Sequence, residues 1–306
     1  MSTTLLFGNG FNLVTNPECS WTKLLEDVGA GAFPKGSYVD IPYPVVAELI
    51  PALRGSTLGR RNDDLYKTLR KSIAEYIIDA RMNPNEIHAK FRNMDFDYFV
   101  TTNYDTCFER AGERYEPEPD PASNRKYLLA QTGNLEGRNI YHAHGIVDKP
   151  NTICISFVRY MSLVSRIRDG FILKGIDQKD KEDYAPLIDS IKNREKPIEC
   201  WPELFFKTNM HIVGFGLDFF EFDFWWLLSL RKSLFEANPV LKEYENIICF
   251  HFLDTPDKRC KDKRDAEAKR IGLQALGVEC IQHQCNSYEE GYEKAANHID
   301  KDIKRH

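Results

Sequence analysis

The chain has no C-x-x-C pair, no excess of basic residues and no unbroken apolar run long enough to cross a bilayer. Its eight cysteines (Cys19, Cys107, Cys154, Cys200, Cys249, Cys260, Cys280 and Cys285) are scattered. That excludes the usual structural zinc spacing and a secreted disulfide framework. Cys107, Cys154 and Cys249 lie in apolar surroundings and read as buried thiols. A reduced, cytoplasmic setting is expected. A formal net charge of −5 argues against direct nucleic-acid binding, which wants a basic field. The mixed-sign stretch Asp257–Asp265 reads as a solvated loop leading into a helix. The most apolar stretch, Met210–Leu230, is interrupted by Asp218, Glu221 and Asp223, so no membrane span is expected there. The opening Met1–Phe7 lacks a basic start and its apolar run is short, so no signal peptide is expected.

What is present is an ordinary globular composition, 42% hydrophobic over 306 residues, enough for one large domain or two modest ones. Strand-like runs recur at Thr3–Phe7, Phe96–Thr101, Asn139–Ala143, Thr152–Phe157, Met210–Gly214, Asn246–Phe252 and Val278–His283. Helical patterns follow Ser20, a plausible N-cap, and lie near Thr106–Gly112, Lys261–Leu276 and Tyr288–Lys304. This alternation predicts an α/β fold, a Rossmann-like, doubly wound and mainly parallel sheet. Residues 44–92 and 162–208 are mostly helical in pattern; the second carries the charged run Asp177–Asp183. Both are read as helical insertions forming a smaller subdomain or lid. Glu116–Pro121 reads as an exposed acidic loop.

Four segments follow the ends of apolar runs with small or polar residues: Gly8-Asn9-Gly10-Phe11-Asn12, Thr101-Thr102-Asn103-Tyr104-Asp105, His142-Ala143-His144-Gly145 and Gly214-Phe215-Gly216-Leu217-Asp218. Ligands of open α/β sheets bind beyond the carboxyl ends of the strands, so the four could meet in one cleft. Glycine at Gly8 and Gly10 allows backbone to approach a pyrophosphate. Leu13 replaces the third glycine of the dinucleotide fingerprint, and no acidic residue ends a second strand at the expected distance. An ordinary tight turn explains these glycines equally well. Asn103 could hold a ribose hydroxyl and a water without titrating, or cap the next helix; for Asp105 the cap is the favoured reading. His142 and His144 alternate along a strand and so should share a face. No third ligand is suggested by spacing, so a metal is not expected. His144, at the strand end against Gly145, is a candidate general base. The aromatics Phe222, Trp225 and Trp226, with Leu230, recur at helical spacing and read as core.

Taken in order, these segments resemble the SIR2-like family, the relatives of sirtuins that bind NAD. Phe96–Asp105 resembles the strand-end motif carrying the family's catalytic Asn, His144-Gly145 its catalytic His-Gly, and Phe7–Asn12, with Trp21 downstream, the NAD-binding turn of the bacterial branch. Gly214–Asp218 is similar to the late loop at the adenosine end. The resemblance implies a single SIR2-like domain over residues 1–306. It makes Asn103 and His144 catalytic, and gives NAD, as substrate, to Gly8, Asn9, Gly10, Phe11, Asn12, Thr102, Asp105, His142, Gly145, Gly214, Gly216 and Asp218, with no metal. Deacylating sirtuins carry two C-x-x-C pairs that this chain lacks. The implied activity is therefore that of the prokaryotic branch, an NAD+ hydrolase releasing nicotinamide and acting in anti-phage defence. A protein partner as trigger and a homo-oligomer are implied with it. The alternatives are a non-catalytic NAD or ADP-ribose sensor or scaffold and, less favoured, a protein deacylase or ADP-ribosyltransferase.

Overall fold

The computed structural model describes residues 1–29, 41–58, 62–80, 82–117, 128–172, 184–256 and 260–305. The run Asp177–Asp183 and parts of the 116–121 and 257–265 stretches lie outside them. The strands are β1 (Thr3–Phe7), β2 (Tyr98–Thr101), β3 (Glu116–Pro117), β4 (Gly133–Leu135), β5 (Arg138–His142), β6 (Asn209–Val213), β7 (Ile248–Asp254) and β8 (Glu279–Gln284). The helices are α1 (Gly10–Leu13), α2 (Trp21–Val28), α3 (Tyr43–Leu58), α4 (Asn62–Asp79), α5 (Glu86–Arg92), α6 (Cys107–Arg110), α7 (Phe157–Ile167), α8 (Ala185–Lys192), α9 (Trp201–Lys207), α10 (Phe222–Ala237), α11 (Cys260–Ala275) and α12 (Tyr288–Ile303).

One 8-stranded sheet runs in the order β3-β4-β5-β2-β1-β6-β7-β8. From β5 to β8 every pairing is parallel, and only β3 and β4 are antiparallel. The fold is thus Rossmann-like and doubly wound. The chain starts in the middle, adds β2 beside β1, crosses to the far edge at β3 and works back through β4 to β5, then returns to place β6 on the other side of β1. Strand order reverses between β1 and β6, the point where open α/β sheets bind ligands.

The sequence of β1 explains its place. All five of its residues are buried, and alternation sends Leu5 and Phe7 to one face and Leu6 to the other. Leu5 and Phe7 join Phe99, Ile87 and Phe91 of α5, and Tyr292 and Ile299 of α12. Leu6 joins Ile212, Phe250 and the inner faces of α7, α9 and α10. A third cluster unites Leu24, Val46, Ile50, Leu69 and Ile73 of α2, α3 and α4 with the loop residues Tyr104, Ile153 and Ile155. Ser20 caps α2 by accepting a hydrogen bond from Lys23 N at 3.3 Å.

Two expectations change. Thr152–Phe157 is not a strand: a short 3-10 turn occupies Pro150–Thr152 and α7 begins at Phe157. Its apolar residues Ile153 and Ile155 are buried in the helical cluster, so the apolar run reflects packing rather than pairing. In α10 the core side is Phe224, Leu227, Leu228, Leu230 and Leu234. Phe222 is exposed and meets Phe157 edge to face, and Trp225 and Trp226 are half-buried at the margin.

Candidate functional site

The carboxyl ends of β1 and β6 meet through glycine. Gly10 N donates to Gly214 O at 2.8 Å, and a Cβ on Gly10 would lie 2.5 Å from that oxygen. Gly214 sits at φ +64° against the Phe11 ring. Leu217, a non-glycine residue at φ +44°, holds the following loop in the left-handed region. That strain is commonly found at ligand sites. Beside this junction opens a cavity of about 490 Å³, lined by Asn9, Gly10, Thr102, His144, Gly214, Gly216 and Asp218 among others. The size is within the range of small-molecule and cofactor sites. A second, narrow cleft of about 30 Å³ holds Asn103 and Asp105, and the two share Asn9, Trp21 and Tyr104 as walls.

The sequence-predicted residues divide into those facing these spaces and those that build them. Phe11 is fully buried and stacks on Phe7 and Phe91, so it is core. The Asn12 amide donates to Asp105 Oδ2 at 2.8 Å and to Asn9 Oδ1 at 3.0 Å. Asn9 in turn donates to Cys19 O at 2.7 Å. Asp105 also accepts from Cys107 N at 2.9 Å, two residues on, while the N-cap position of α6 is Thr106. Asn103 is anchored by its Nδ2 on Gly8 O at 3.3 Å and by its N–H on Thr101 Oγ1 at 3.1 Å. Gly8 is confined between Phe215 and Thr102. The Gly10 N–H, expected to meet a pyrophosphate, is already bonded to Gly214.

The two histidines do not share a face. β5 ends at His142, and Gly145 N donates to His142 O at 3.2 Å across a turn. Gly145 makes that turn at φ +99°, where a Cβ would lie 2.4 Å from Thr152 O. His142 therefore points to the layer of α6. Its Nδ1 donates to Asn103 O at 2.7 Å and its Nε2 to Glu109 Oε1 at 2.6 Å. Burial alone would lower its pKa, but the Glu109 carboxylate overrides this and raises it. His142 holds the Asn103 backbone and lines neither cavity.

His144 reaches the opposite layer. Its Nε2 donates to Asp223 Oδ2 at 2.9 Å, with Glu221 Oε2 at 3.8 Å, and its Nδ1 lies 3.4 Å from the Tyr160 hydroxyl. Asp223 sits in the first turn of α10, where the helix dipole favours a negative charge. His144 is buried, which alone lowers its pKa; Asp223 and then Glu221 outweigh that and raise it. Burial, reinforced by Asp223 and Asp218, pushes Glu221 up to about 8. Asp223 Oδ1 and Glu221 Oε2 are buried with no hydrogen-bond partner, and such atoms imply an absent donor. The donor atoms of His144, Glu221 and Asp223 all lie within 4.8 Å of one another, close enough to share one cation. The second and third groups of this cluster, which spacing around the histidines did not suggest, thus come from the start of α10, Glu221 just before its first residue and Asp223 in its first turn, some eighty residues on.

The chemistry open to this site is carboxylate-assisted proton transfer beside a nucleotide-sized cavity. The residues matching a family model of the SIR2-like domain are 97–233, from β2 through His144 to Asp223. No curated protein matches the sequence. The SIR2-like family uses NAD as substrate or cofactor. Sequence reasoning missed Glu221, Asp223 and Tyr160. For Glu221 and Asp223 the signal was the presence of acids inside the most apolar stretch of the chain, Met210–Leu230; Tyr160 carried none. Lys269 of α11 was missed too: it lines the cavity, donates to Gly216 O and lies 3.8 Å from Asp218. Among the described residues no helix is long and apolar enough to cross a membrane.

Proposed function

We propose that the chain is an NAD+ glycohydrolase that cleaves the nicotinamide–ribose bond, giving nicotinamide and ADP-ribose. The observation that carries this reading is the buried His144, at the wall of the cavity beside the β1/β6 reversal, with Asp223 behind it at 2.9 Å. Breaking the bond develops oxocarbenium character at the ribose carbon, as in glycoside hydrolysis. The Asp223 carboxylate stabilises that positive charge and orients the His144 ring. His144 takes the proton of the attacking water, and the bond's electrons leave with nicotinamide. General base action of this kind contributes about 10²–10⁴-fold. Glu221, held protonated near neutrality by burial, donates to a ribose hydroxyl. Asn103, anchored on Gly8, orients the ribose and the water. Gly214–Asp218 and Lys269 border the adenosine diphosphate half.

The SIR2-like likeness extends the proposal to an anti-phage effector that depletes cellular NAD when a protein partner triggers it, acting as a homo-oligomer. The test is chromatographic detection of nicotinamide released from NAD by wild type, Asn103→Ala and His144→Ala. Release by wild type and loss in both variants are expected. Full activity in Asn103→Ala would remove it from the mechanism. NAD binding without release, with the partner present, would instead favour a sensor.

A further inference from the structure

Four of the chain's eight histidines gather in one place, on the sheet face covered by α12. His211 of β6, His251 of β7 and His283 of β8 form a chain of hydrogen bonds. His211 Nδ1 is 3.1 Å from His251 Nε2, and His251 Nδ1 is 2.9 Å from His283 Nε2. His298 of α12 packs edge-on to the second and third rings, with centroids 5.7 and 5.9 Å away. Beside His211 stand Cys249, its registered partner on β7, and Asp302 of α12. Asp302 lies ten residues beyond Tyr292 of the NAD-site cavity, about 15 Å along the helix axis.

We infer that His211, Cys249 and Asp302 form a zinc site. The imidazole Nε2, the thiol sulfur and a carboxylate oxygen lie within 4.8 Å of one another, and His211 Nε2 is 3.4 Å from Asp302 Oδ2. Tetrahedral zinc with bonds of about 2.0–2.1 Å separates nitrogen and oxygen ligands by about 3.3 Å. Nitrogen, sulfur and oxygen donors together suit zinc rather than magnesium or calcium. The rest of the cluster fits this role. With Nε2 on the metal, His211 Nδ1–H donates to His251, and His251 Nδ1–H donates to His283. A metal-bound histidine characteristically has such a partner behind it to fix its tautomer. Glu279, 3.9 Å from Cys249 Sγ and exposed, supplies the fourth ligand or admits water. Asp302 is half-buried, giving the ion a route from solvent. Zinc binds Cys249 as the thiolate, so binding exchanges the thiol proton for the metal.

Titrating the chelator-treated full chain with Zn²⁺ in a calorimeter tests the site. One zinc per chain is expected, with one proton released as read from the dependence of the heat on buffer ionisation. Cys249→Ser and Asp302→Asn should each weaken binding about tenfold or more; Asp302 is on the accessible side of α12, and circular dichroism verifies the fold of both. The Co²⁺ form of the wild type should show thiolate-to-cobalt charge-transfer absorption that Cys249→Ser lacks. Absence of binding, or zinc affinity unchanged in both variants, would overturn the inference and in the second case move the ion to the His144 cluster. A Co²⁺ spectrum without thiolate character would overturn it as well.

Discussion

Replacing Gly145 by alanine should damage both the fold and the site, because one backbone turn carries His144 into the cavity. At φ +99° an alanine is strained, at a cost of about 1–2 kcal/mol. Its Cβ would also lie 2.4 Å from Thr152 O, 2.5 Å from Thr152 C and 2.7 Å from Ile153 N. All three are backbone atoms, tied down by the Cys154 N–H donating to His144 O at 2.7 Å. Overpacking of this kind adds about 1–3 kcal/mol, so the total is about 2–5 kcal/mol. For a chain of 306 residues a loss of that size lowers the thermal midpoint by roughly 3–8 °C. The chain can relieve the clash only by moving the turn, and a shift of about 1 Å in a positioned group costs on the order of 10²-fold in rate. The assay is a calorimetric or fluorescence melt paired with nicotinamide release. A midpoint within a degree of wild type, with activity intact, would refute the claim that this turn is over-determined.

Asp223→Asn removes the largest influence opposing burial at His144, so the His144 pKa should fall from above 6.5 to below it, read by NMR titration of the ring; NAD cleavage should drop about 10²–10⁴-fold. An unchanged titration would show that Asp223 does not govern the ring. Glu221 is an acid with a raised folded pKa, so it binds its proton more tightly when folded, and stability is lost as pH rises from about 4.5 through about 8. His144, also raised, acts in the same direction. His88 and His211, both lowered to about 4, act oppositely but only below 6.5. Between pH 6.5 and 8 the melting midpoint of the wild type should therefore fall, and Glu221→Gln should flatten that decline, whose limit is roughly 1.4 kcal/mol per pH unit for one proton; equal slopes in both proteins would contradict the assignment.

The parallel sheet was legible because buried strands such as Thr3–Phe7 and Met210–Val213 are short apolar runs punctuated by glycine. The antiparallel β3 and β4 carry no such run, and their pairing depends on a hairpin next to β5. Ile153 and Ile155 misled because a buried loop needs apolar residues as much as a strand does. At the site, His144 and Asn103 were legible as polar residues at strand ends. The partners of His144 were not: Glu221 and Asp223 come from a helix after the fourth segment, and only the fold sets them against β5. The opposed directions of His142 and His144 follow from β5 ending at His142, where a turn through Gly145 replaces the alternation that sequence spacing assumes.

The most direct measurement is a crystal structure of the His144→Ala variant soaked with NAD. The account predicts intact NAD in the 490 Å³ cavity, its adenosine end along Gly214–Asp218 and its nicotinamide ribose beside Glu221 and the Tyr104 wall that adjoins the cleft of Asn103. A cavity left empty while the variant binds NAD elsewhere, or a nucleotide lying in the reverse direction, would contradict it.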